Sequence, residues 1–146
     1  MKRTLFGIAL LAVAAGAFLL MQPADNPTTD TPTTDTPLAG DAMVAVLIPA
    51  RFSEQEQMGQ RAFDAACASC HGTNAQGRQD IAPPLVHKIY EPSHHGDASF
   101  LLAAQNGVRA HHWRFGDMPS VQGVTRADVT NIVAYVRALQ RENGIN

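Results

Sequence analysis

Cys67-Ala68-Ser69-Cys70-His71 contains the only two cysteines of the 146-residue chain, with a histidine directly after the second. C-x-x-C-H is the attachment signature of c-type haem. Two thiols at this spacing can reach one edge of a porphyrin and form thioethers with its vinyl groups. The adjacent imidazole then sits under the ring centre as a proximal iron ligand. Other readings of the pair fit less well. A thioredoxin-like dithiol wants a βαβ context, and no alternation of strands is visible. Zinc needs about four ligands, and a second C-x-x-C is absent. A disulfide across two residues would be strained.

The N-terminus bears on where such chemistry happens. Lys2 and Arg3 precede an uncharged apolar run over 4–21, close to the roughly 17–25 residues of a spanning helix. A cleaved signal peptide has a shorter apolar core and a small-residue site. The candidate here, Gln22-Pro23-Ala24, has Gln in the outer small-residue position and Pro just before the cleavage residue, and a cut at Ala15 or Ala17 would halve the run. The reading adopted is an uncleaved anchor over 1–21, the alternative being a cleaved, soluble periplasmic protein. The basic pair stays inside, so the remainder faces the periplasm of a bacterial inner membrane. No Cys follows the run to carry a lipid. Haem attachment to thiols takes place on that outer face.

Residues 22–49 form a linker and an apolar strap. Thr28-Thr29-Asp30-Thr31-Pro32 repeats as Thr33-Thr34-Asp35-Thr36-Pro37, a composition with nothing to bury and an expectation of disorder. The run Met43-Val44-Ala45-Val46-Leu47-Ile48 before Pro49 is too short to span a membrane. It is expected to lie extended on the domain surface, with docking of a partner as the alternative reading.

The folded domain is placed at 50–146, one small unit with a thin core of its own. Lys plus Arg equal Asp plus Glu in number there, so no basic stripe offers itself to nucleic acid. Three helices are expected. Ser53 and Glu56 form a capping box that starts the first, which runs through Phe63 and Ala66 to the cysteine motif. The second spans about 98–106, with Asp97 as N-cap and Gly107 as its stop. The third starts at Thr125 with Asp128 in the capping-box position. Val129, Ile132, Val133, Val136 and Leu139 form its apolar stripe. Gly72, Gly77, Pro83, Pro84 and Pro92 mark the stretch between the motif and the second helix as loop.

A six-coordinate haem needs a second axial ligand. Met118, in Gly116-Asp117-Met118-Pro119, is the best-placed of the five methionines. Met1 and Met21 lie in the anchor region, Met43 in the strap, and Met58 on the helix that leads to the cysteines. A neutral thioether favours ferrous iron and raises the potential. The alternative for Met118 is a core gap-filler.

The C-x-x-C-H motif after a first helix, the Met-Pro after a Gly-containing loop and the terminal helix carrying Tyr135 resemble the class I c-type cytochromes of bacteria, over about 53–140. The resemblance implies an all-α fold with one covalent haem c in a crevice, held by Cys67 and Cys70, with His71 proximal and Met118 distal. Gly59 and Phe63 would meet Tyr135 where the first and last helices cross. A backbone carbonyl of the Pro83-Pro84 loop region would accept a hydrogen bond from the proximal imidazole.

His87, His94, His95, His111 and His112 all fall between the motif and Met118. A copper or zinc site from His94, His95, His111 and His112 is one reading, although adjacent histidines rarely share an ion. Surface residues, haem-propionate partners and packing against Trp113 are others, as is competition of His111 or His112 with Met118 for the iron. Arg109, Arg114 and Trp113 are candidate propionate neighbours.

The function expected is one-electron transfer between membrane-linked redox proteins, without an enzyme activity of its own. The alternatives are a haem subunit of a larger oxidase or dehydrogenase, and a sensor or enzyme with an open sixth position.

Overall fold

The computed structural model describes residues 39–146. The expected anchor at 1–21 and most of the Thr/Pro/Asp linker lie outside the described residues. Among the described residues no helix is long and apolar enough to cross a membrane.

Helix α1, Glu54–Ala66, starts where its local chemistry says it should. The Ser53 side chain accepts from the Glu56 N–H, and the Glu56 carboxylate accepts from the Ser53 N–H at 2.8 Å, which satisfies two otherwise unpaired donors. Cys67 ends the helix, and a single further turn, α2 (Ala68–His71), carries the rest of the motif. The first helix thus ends at the motif, as expected, and the motif itself forms a separate turn. Two short 3-10 turns follow, Thr73–Ala75 and Lys88–Tyr90, in the stretch expected to be loop.

Helix α3 spans Asp97–Asn106 and α4 spans Arg126–Glu142. The expectation for α3 needs one correction: its N-cap is Gly96, and Asp97 is its first helical residue. The Asp97 carboxylate makes no cap because it accepts from Arg137 Nε at 2.9 Å. Helix α4 has the expected capping box of Thr125 and Asp128. Its stripe residues Val129, Ile132, Val133, Val136 and Leu139 are all buried. The described residues contain isolated bridges but no strands.

The crossing of α1 on α4 sets the frame. A Cβ at Gly59 would stand 1.9 Å from the Asn131 carbonyl oxygen, so only a glycine lets the two backbones meet there. Beside it Tyr135 is fully buried, 5.7 Å from the Phe63 ring and 5.3 Å from Phe52. Its hydroxyl donates to Asn74 Oδ1 at 2.9 Å, joining α4 to the chain reversal after the motif. A second cluster, Ala104 with Val129 and Val133, packs α3 on α4.

The segment ahead of α1 runs extended along the body. Val44 N–H donates to Gln76, and the Leu47 backbone exchanges two bonds with the Asn143 side chain at 2.9 Å. Val46 packs on the core, while Leu47 and Ile48 face outward.

Gly59→Ala in the haem-loaded protein is expected to cost about 3 kcal/mol by forcing the helices apart, measured as a fall in the denaturant midpoint. Tyr135 supplies a pH test. Burial first, and the Asp64 charge second, push its phenol up to about 12 from 10.0. The native state therefore keeps a proton that the unfolded chain gives up, and stability should fall as pH rises from about 10 to about 12. Tyr135→Phe should flatten that loss in denaturant titrations above and below pH 10.

Candidate functional site

One cavity of about 550 Å³ opens in the domain. Cys67, Cys70, His71, Pro83 and Met118 all line it, so residues 51 positions apart in sequence meet around one space. The remaining walls are mostly apolar, with Leu85, Phe100, Val129 and Ile132 among them.

His71 is buried and oriented. Its Nδ1 lies 2.9 Å from the Pro83 carbonyl oxygen, which can only accept, so Nδ1 carries the proton and Nε2 is left as the free ligand nitrogen. Pro83 is thus the carbonyl that the sequence left unassigned. Burial pulls the His71 imidazole below its ordinary range, against the opposing effect of that hydrogen bond. The ring is held neutral, the form that binds a metal.

The Cys67 thiol is pushed up to about 11, chiefly by burial and then by Cys70. A redox-active dithiol needs the opposite shift, which argues against the thioredoxin-like reading of this pair. The two cysteines form no disulfide. Cys70 is exposed and Cys67 partly so, which places the motif at the cavity's edge.

Met118 is fixed through its backbone. Its N–H and carbonyl exchange bonds of 2.9 Å with Val108, closing a hairpin-like excursion over 109–117. Gly107, at φ +74, allows this approach: a Cβ there would lie 2.5 Å from the Met118 carbonyl oxygen. Asp117 Oδ1 accepts from the Ala110 N–H at 2.8 Å within the same excursion. Met58, the other methionine weighed inside the domain, is 45% exposed and outside the cavity.

The excursion also carries Trp113, whose buried Nε1 makes no hydrogen bond. Its approach to the Tyr90 hydroxyl counters the burial that raises that phenol, but the geometry falls short of a hydrogen bond. An unpaired buried donor on a cavity wall asks for an acceptor, and a haem propionate is a group of that kind. The donor set therefore fits a haem: two thiols, one free imidazole nitrogen, one thioether, apolar walls and an orphan N–H.

Of the remaining histidines, His95, His111 and His112 line the cavity, and His87 packs edge-on against Trp113 at 5.3 Å. His112 is held below its ordinary range by desolvation, then by the charges of His111, His95 and His94. Sequence reasoning missed Arg137 and Gln140 altogether. Both are buried. Arg137 donates to the Tyr90 carbonyl at 2.7 Å and to the His95 carbonyl, and Gln140 donates to the Leu85 carbonyl at 2.8 Å. Together they hold the chain that forms one cavity wall. An Arg and a Gln adjoining the apolar stripe of α4 were the only signal.

The family model for cytochrome c matches residues 56–140, more than half of the chain, and the chain belongs to that family. A search of curated proteins found no match. The family carries haem c, bound covalently at the Cys67-Cys70-His71 motif, and its chemistry is haem-based electron transfer. Denaturation in acid and organic solvent should accordingly leave the haem on the chain. In the Cys67→Ala/Cys70→Ala double variant the same treatment should release it, as read by absorbance of the extracted phase.

Proposed function

We propose that this chain is a one-electron carrier with His71 and Met118 as the axial haem ligands. Residues 1–21 tether it to the outer face of a bacterial inner membrane, where it serves membrane-linked redox proteins. The observation that carries the ligand assignment is that one free imidazole nitrogen and one backbone-fixed methionine line a single cavity. The haem supplies a reversible one-electron couple, and everything else is the work of the chain. The Pro83 carbonyl draws on the His71 N–H and makes the ring a stronger donor. The Met118 thioether is soft and neutral and favours the reduced form. Apolar walls exclude water and disfavour the extra positive charge of the oxidised form. With both axial positions filled by protein, no coordination site is left for a substrate.

The exposed Cys70 puts a thioether edge at the surface, where an electron can pass to a docked partner. The charge balance of 50–146 suits brief encounters with more than one partner better than a strongly steered pair. The uncharged run over 4–21 behind Lys2 and Arg3 supports the tether.

The test is the ferric absorption spectrum. The parent protein should show the weak long-wavelength charge-transfer band of methionine-ligated iron and a low-spin haem. Met118→Ala should lose that band and lower the reduction potential. A high-spin parent spectrum, or a band that survives the substitution, would overturn the ligand assignment.

A further inference from the structure

We propose that His94, His95 and His112 form a binding site for one divalent transition-metal ion of the zinc or copper(II) class, distinct from the haem iron. The two His-His pairs are separated by 15 residues in sequence, yet the fold brings them together. One ligand nitrogen from each of His94, His95 and His112 lies within 4.8 Å of the other two. The ring centroids are 4.6 Å apart for His94 and His95, and 5.3 Å for each of these with His112.

The closest approach suits a shared ion. His94 Nε2 and His112 Nε2 are 3.4 Å apart. That is longer than the roughly 2.7–3.2 Å of a good N–H hydrogen bond. It matches the about 3.3–3.4 Å edge between two nitrogens that share one tetrahedral ion at about 2.0–2.1 Å each. Three imidazoles with no carboxylate among them select zinc or copper(II) over calcium or magnesium, which want oxygen.

The surrounding bonds orient the set. His95 Nδ1 donates to the Ile89 carbonyl at 2.6 Å, so its Nε2 is the nitrogen left to bind, the usual arrangement behind a metal-ligating histidine. The backbone carbonyl of His95 is itself held by Arg137. His94 and His95 follow Pro92 in a turn whose N–H groups both bond to the Glu91 carbonyl, and this bend answers the objection that adjacent histidines diverge. His112 comes from the excursion closed by Val108 and Met118. His94 and His112 are exposed, so an ion can load from solution and keep one position open to water. His111 packs 4.2 Å from His112 but is not one of the three converging residues.

The bound ion would staple the 91–96 turn to the 109–117 excursion. The binding claim stands whether or not Met118 ligates the iron. It is tested on the full, haem-loaded chain after chelator treatment, when the cysteines are consumed as thioethers. Calorimetric titration with Zn(II), and separately with Cu(II) followed by its nitrogen-split paramagnetic spectrum, should each give one ion per chain. His94→Gln and His112→Gln should each weaken binding more than about tenfold, and the double variant should abolish it. His94→Gln should leave the haem spectrum as it was. No saturable binding of either ion would overturn the proposal, as would undiminished binding in the double variant. So would a change of axial ligation in His112→Gln, which would assign that imidazole to the haem.

Discussion

The constraint on which the rest depends is the cavity. A domain of this size has little apolar material to spare, and here the core is divided into two clusters, one around Phe63 and Tyr135 and one around Ala104 and Val133. The cavity walls draw on both: Leu85 and Ile132 from the first, Ala104 and Val129 from the second. A flat apolar group in that space would extend the contact that Phe100 makes with both clusters. The covalent links at Cys67 and Cys70 secure it at one edge. Fold and cofactor are therefore one energetic unit.

The frame around the cavity comes from a few close contacts. The Gly59 approach brings α1 against α4, so the turn carrying Cys67, Cys70 and His71 emerges at a fixed place. Tyr135 extends that frame by bonding to Asn74, which sits at φ 54 just past the motif. The next residue, Ala75, is also left-handed, at φ 59, and fully buried. Two successive left-handed residues cost free energy. What they gain is a reversal tight enough to send the chain back under the motif, where Pro83 meets His71 and the Leu85 N–H meets the Ala75 carbonyl at 2.9 Å.

The legible parts of the sequence were those whose physics is local. C-x-x-C-H is complete within five residues. The capping boxes at Ser53 and Thr125 are complete within four, and the α4 stripe repeats its own period. The illegible parts were long-range. Asp97 looked like a cap because it precedes a helical run, yet its carboxylate goes to an arginine 40 residues away. Nothing near Pro83 marks its carbonyl as the partner of His71. Two His-His pairs 15 residues apart say nothing of a shared point in space until the chain between them has folded.

Arg137 shows how one such long-range group serves both sites. Its guanidinium has donors to spare, and α4 turns it inward, where it donates to Asp97, to Gln140 and to the carbonyls of Tyr90 and His95. Those carbonyls belong to the loop leading into α3, which Arg137 thereby ties to α4. Held this way, the loop presents Tyr90 and His95 to the cavity and His94 to the surface beside it. An electron carrier gains from walls that keep the same shape in both oxidation states, because any rearrangement adds to the barrier for transfer. A buried cation tied to two backbone carbonyls and two side chains is a stiff support of that kind. It braces the cavity wall, and it also sets the outer histidines at a spacing that one metal ion fits.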